Sequence, residues 1–132
     1  MKANRAIALL VAGGLLLASM TIVAHHSVSA EFDTTKRVTF TGTVKKVDWM
    51  NPHIYTHVEV KGTDGKVIVY KVEGGAPNSL FRNGIRPDSL KPGTVVTCTN
   101  CSRSKSPESM NVNGRLTLAD GRPALTATPD NN

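Results

Sequence analysis

Short runs of alternating residues, each closed by a turn signal, fill the chain from Val38 to Leu118. A period of two sends successive side chains to opposite faces, so such runs bury one face as strands and cannot do so as helices. From Val38 to Val47, residues Val38, Phe40, Gly42 and Val44 share one face and Thr39, Thr41 and Thr43 the other; the step from Val44 to Val47 breaks the pattern and predicts a bulge near Lys45-Lys46. Asn51-Pro52 ends that run. In a second run from His53 to Lys61, residues Ile54, Thr56, Val58 and Val60 lie on one face, and His53, Tyr55, His57 and Glu59 on the other. Asp64-Gly65 supplies the chemistry of a hairpin turn into a third strand, Val67 to Val72.

Pro77 suits the first turn of a short helix over Asn78–Asn83, and Gly84 its stop. The turn Leu90-Lys91-Pro92-Gly93 leads to a fourth strand, Thr94 to Thr99. Asn100 to Asn113 reads as polar and irregular, and Val112 to Leu118 as a fifth strand. Three strands, a short helix and two strands give an all-β chain in the element order of a small five-stranded OB-like barrel; a small open sandwich has the same order. The barrel domain is expected over residues 36–125, between an extended arm at 25–35 and a disordered tail at 126–132.

Ahead of the strands stands a different segment. Lys2 and Arg5 precede an almost wholly apolar run, Ala6 to Val23, with small residues at its end. This is the layout of a signal peptide, residues 1–24, and implies a periplasmic or secreted protein; an uncleaved anchor is the other reading. Two exits compete: cleavage after Ala24 keeps His25 and His26, and cleavage after Ala30 discards them. The formal net charge is +6, and Lys2 and Arg5 leave with the signal, which takes it to +4. That charge is too weak and too dispersed for a nucleic-acid partner, and no stable membrane insertion is expected once the signal is cut.

The chain resembles the small exported bacterial proteins of the family DUF6152. The likeness rests on Ala24-His25-His26-Ser27, Ala30-Glu31-Phe32-Asp33, Gly42-Thr43-Val44, and Val47-Asp48-Trp49 leading into Asn51-Pro52-His53. It continues in Pro77-Asn78-Ser79-Leu80, Leu90-Lys91-Pro92-Gly93 and Asp120-Gly121-Arg122. The resemblance implies export and a small β-barrel-like fold, and brings no established activity. Cys98 and Cys101 depart from the family pattern.

The histidines carry the main functional expectation. His53 and His57 share a strand face but lie roughly 13 Å apart, too far to chelate one ion alone. An N-terminus at His25 would offer an amine and an imidazole to one ion, completed by His26 or His53. Such nitrogen-rich sets suit Cu(II) or Ni(II), and Met50 adds a soft thioether for Cu(I). Copper held by His25, His26 and His53 is therefore the leading expectation. The alternative reads these histidines as a solvated arm and a loop-bonding residue, in a non-enzymatic module that binds an envelope protein or a small ligand without metal. Trp49 and Tyr55 would line its groove, or act as rim anchors. His57, Glu59 and Glu73 read as surface residues.

Cys98-Thr99-Asn100-Cys101 suggests one disulfide in an oxidising compartment. Across an extended strand the two Cα atoms would be about 10 Å apart, so the pair requires a turn at Thr99-Asn100, where Asn tolerates the left-handed region. The motif stands at a strand end and not at a helix start, which argues against redox catalysis. No second C-x-x-C exists to complete a zinc site. With no Ser-His-Asp set and no phosphate loop, the chain is not expected to be an enzyme.

Overall fold

The computed structural model describes residues 28–125. The chain divides into two units, Met1–Ala30 and Glu31–Asn132. The expected signal peptide, with His25 and His26 just beyond it, and the tail at 126–132 lie outside the described residues.

One helical turn, α1 (Val28–Glu31), leads into a strand of 17 residues, β1 (Phe32–Asp48). Then follow β2 (Tyr55–Lys61), β3 (Val67–Glu73), the short helix α2 (Pro77–Arg82), β4 (Val95–Ser104), β5 (Asn111–Asn113), β6 (Leu116–Leu118) and β7 (Pro123–Ala124). The fold is mostly β with few short helices. Five strands form a ring: β1 pairs with β2, β2 with β3, β3 with β5 in parallel, β5 with β4, and β4 back with β1.

The length of β1 closes the ring. Its first part, Phe32 to Thr43, pairs with β4, and its last part, Thr43 to Asp48, pairs with β2. The strand changes partner at Gly42–Thr43, where a Cβ on Gly42 would meet Val58 and Val60 side chains at 2.8 Å and the Glu59 carbonyl closer still. Only glycine lets β2 approach that closely. The ladder shifts between Val44 and Lys46, at the bulge expected beside Lys45-Lys46.

The alternation sorts the core as the sequence implies. Ile54, just before β2, and Thr56 and Val58 on it are buried, and they join Val44, Val72, Val96, Val112 and Leu116. From α2, Leu80 enters the same core. Burying side chains of this size contributes roughly 1.5–3 kcal/mol each. Phe40 of β1 stacks on Tyr70 of β3, two strands that do not pair, with ring centroids 4.2 Å apart.

Three sequence-based boundaries shift. β1 begins at Phe32, inside the segment expected as an extended arm, and Phe32 is only 2% exposed. β4 runs on to Ser104 and β5 takes Asn111–Asn113, so the stretch expected to be irregular holds two strands. Backbone pairing on both edges, rather than an apolar face, holds these polar residues in the ladder. The expected fifth strand divides at Gly114: β5 and β6 both pair with the same edge of β4, their register offset by one residue. A Cβ at Gly114 would collide with Cys101 Sγ, which sets where the division falls.

Candidate functional site

β2 begins at Tyr55, two residues later than expected, and its outer face with His53 just before it carries two histidine–carboxylate pairs that the hairpin register explains. Tyr55 lies opposite Asp48 on β1 and opposite Glu73 on β3. His53, two residues before Tyr55, reaches Glu73, and His57, two residues after it, reaches Asp48.

His53 Nδ1 and Glu73 Oε1 are in direct contact. A carboxylate accepts and does not donate, so Nδ1 carries the proton, which in the neutral ring leaves Nε2 as the free ligating nitrogen. The Glu73 carboxylate is 8% exposed while the His53 ring is 38% exposed, so the acid is an anchor behind a reachable imidazole. Glu73 Oε2 has no hydrogen-bond partner among the described residues. With Thr56, Ile54 and Gly74, Glu73 walls a cavity of about 10 Å3, the size of a single water. The expectation of a surface glutamate at 73 is corrected: the strand twists it beneath His53 as β3 gives way to Gly74-Gly75.

In the second pair the carboxylate, not the imidazole, is the more exposed partner. His57 Nε2 donates to Asp48 Oδ2 at 2.7 Å, and Lys46 Nζ to Asp48 Oδ1 at 2.8 Å. These two bonds hold the Asp48 carboxyl below its ordinary range, Lys46 contributing most and His57 next. His57 is more enclosed than expected, its side chain 19% exposed. Glu59, also on this face, pairs with Lys45 at 3.1 Å.

Tyr55 stands between the histidines with Lys71 Nζ 4.2 Å over its ring. Burial, then the charges of Glu73 and Glu31, push its hydroxyl pKa upward. Trp49 packs against the core instead, edge to face with Phe81 at 5.3 Å between ring centroids. Its buried Nε1 has no hydrogen-bond partner among the described residues. Trp49 and Tyr55, expected to share a groove, thus have different neighbours. Met50 is 48% exposed in the loop before His53, beside a cis Asn51-Pro52 bond.

Of the three expected metal ligands, His53 alone falls among the described residues. Among those residues no group of three or more His, Cys, Asp or Glu gathers in a way that would hold a metal. Sequence spacing gives no sign of the His53–Glu73 contact, because the partners are 20 residues apart; counting the hairpin register back from Asp64-Gly65 would have found it.

Cys98 and Cys101 form a disulfide, both fully buried, with Cα atoms 6.0 Å apart. The turn it requires is present. β4 carries an extra residue against β1 between Cys98 and Cys101, and Asn100 takes a positive φ of 58°. Asn100 N donates to Thr39 Oγ1 at 2.9 Å, which ties the bulge to β1.

Among the described residues no helix is long and apolar enough to cross a membrane. No curated protein and no solved structure matches the chain. One family does: DUF6152, described as a family of unknown function, matches residues 12–111. That span takes in the His-His-Ser motif, both histidine–carboxylate pairs and the disulfide, and stops short of Gly114 and of Asp120-Gly121-Arg122. The chain belongs to the DUF6152 family.

Proposed function

We propose that this is an exported, non-enzymatic protein with an OB-like barrel that binds a transition metal, copper foremost, through His53 together with His25 and His26. The ring order β1-β2-β3-β5-β4, with α2 between the third and fourth strands, supports the OB-like reading of the fold. The disulfide fits an oxidising compartment. The second unit starts at Glu31, so a cut after either Ala24 or Ala30 leaves it whole. Only the first cut leaves the histidine pair on the mature protein.

One observation carries the metal reading: His53 is anchored through Nδ1 by a buried carboxylate. Metal-binding imidazoles almost always donate their second N–H to such a partner, which fixes the tautomer and raises the basicity of the free nitrogen. The test is calorimetric titration of Cu(II) into the secreted protein after sequencing its N-terminus. Tight one-to-one binding, lost in His25→Ala and His53→Ala and weakened about tenfold in Glu73→Gln, is expected. An N-terminus at Glu31, or binding indifferent to His53 and Glu73, sinks the reading.

The second reading is a metal-free module that grips a small ligand or an envelope protein. The indole N–H of Trp49, without a partner among the described residues, favours it, since a buried donor left unpaired is costly unless a ligand completes it. A protein that ignores copper, but whose Trp49 fluorescence responds to an envelope extract fraction, would favour this second reading.

A further inference from the structure

Far along the β1–β4 ribbon from its Gly42 bend, the ladder opens. Asp33 pairs with Arg103 and Arg37 with Ser102, so β1 spends three extra residues, Thr34 to Lys36, where β4 advances by one. An excursion of this kind re-aims the side chains it carries. Asp33 organises it: Oδ1 accepts from Thr35 N at 2.9 Å and from Thr35 Oγ1 at 2.6 Å, and Oδ2 lies 3.5 Å from Lys36 Nζ. Across from it the end of β4 turns at Ser104–Pro107. Lys105 N donates to the Glu31 carbonyl at 2.9 Å, and Ser106 N to Ser104 Oγ at 3.2 Å. Between excursion and turn lies a cleft of about 170 Å3 walled by Lys36, Arg103, Ser104, Lys105, Ser106 and Pro107.

Three cations and two hydroxyls wall this cleft, and no carboxylate does. Arg103 is the telling member. It is partly buried, yet its guanidinium has no hydrogen-bond or ion-pair partner among the described residues, although Asp33 is its ladder neighbour. Asp33 is instead turned to Thr35 and Lys36. Arginines withdrawn from water are normally paired, and a planar guanidinium matches a tetrahedral oxyanion with two parallel N–H donors. Ser104 accepts through Oγ, which leaves its own O–H to donate into the cleft.

We propose that this cleft binds a phosphate-type oxyanion, with Arg103 as the bidentate ligand, Lys36 and Lys105 as flanking charges and the Ser104 hydroxyl as a further donor. The site is on a different part of the ring from His53 and does not depend on the metal reading. The same chemistry is offered by free phosphate and by the phosphodiester of an anionic lipid headgroup.

The test uses the secreted protein in the presence of EDTA, so that no metal bridges the anion. Inorganic phosphate is titrated by calorimetry, and co-sedimentation is measured with vesicles of phosphatidylglycerol and of phosphatidylcholine. Saturable phosphate binding that falls about tenfold in Arg103→Gln and is partly kept in Arg103→Lys supports a free anion. Sedimentation with phosphatidylglycerol alone, competed by phosphate and lost in Arg103→Gln, supports the headgroup. Lys66→Gln, on the distant β2–β3 hairpin, is expected to change neither. An equal loss in Lys66→Gln and Arg103→Gln would mean dispersed attraction and overturn the site, as would the absence of binding to both probes. Thermal unfolding of each variant separates lost binding from lost fold.

Discussion

At the β4 bulge on the seam of β1 and β4, the departure from regular pairing is tied off locally. The extra residue of β4 is pinned by Asn100 on Thr39, closed beneath by the Cys98–Cys101 bond and backed by Gly114. Arg37 spans the seam and donates to the Asn100 carbonyl at 3.1 Å and to Ser102 Oγ at 2.8 Å. On the outer face of β2 the departures remain open instead. Glu73 keeps an oxygen without a partner among the described residues, and the His53 imidazole in front of it is 38% exposed. Around that bulge the groups have finished their bonding and supply rigidity. The β2 face holds groups with capacity left over, and so is the place for chemistry.

The contrast is sharpest at His53. Removing it leaves the buried Glu73 charge without a partner, so His53→Ala is expected to lose about 3 kcal/mol of stability in urea unfolding, against well under 1 kcal/mol for His57→Ala. Equal losses would erase the distinction between the two pairs. On the seam, Cys98→Ala with Cys101→Ala is expected to cost roughly 2 kcal/mol, the value for so short a loop. Gly114→Ala is expected to cost about 2 kcal/mol by overpacking. The two changes should not add. Without Cys101 Sγ the new methyl loses its worst clash, while the residue 101 Cβ and Cα still stand 2.9 and 3.0 Å away. Strict additivity in a double-mutant cycle would refute the packing argument.

The smallest effect is at Asp48. Its folded pKa lies below its ordinary value, so its stabilisation is present above about pH 4 and is lost as pH falls through the folded value. Asp48→Asn is expected to lower stability at pH 7 by less than about 1 kcal/mol and to flatten the decline below about pH 4. An unchanged acid limb in the variant would assign that decline to other carboxylates.

Much of this arrangement is legible before folding, wherever the cause is local. Lys45-Lys46 breaks an alternation, Asp64-Gly65 makes a turn, Pro77 opens a helix, and Asn100 lets two cysteines meet across a bulge. What escaped depends on partners distant in sequence. Phe32 belongs to β1, but the excursion over Thr34 to Lys36 separates it from the alternating run and disguises it as an arm. Cys101 to Ser104 looks like loop because its strand character comes from being paired on both edges. Glu73 looks exposed because only the hairpin register shows that His53 covers it.

Three residues of β5 close the ring. Against β3 they supply only the pairings of Lys71, Val72 and Glu73, next to the bond from Lys71 N to the Met110 carbonyl at 3.1 Å. Within the ring the β5–β4 seam is shorter still, at two pairings, but β6 continues along the same edge of β4. In hydrogen exchange, the Lys71 amide therefore reports a partial opening of lower free energy than the amides between β1 and β4, which await global unfolding. Because Glu73 ends that short seam, each opening there also loosens the carboxylate beneath His53, and a three-residue pairing sets how long the imidazole keeps its aim.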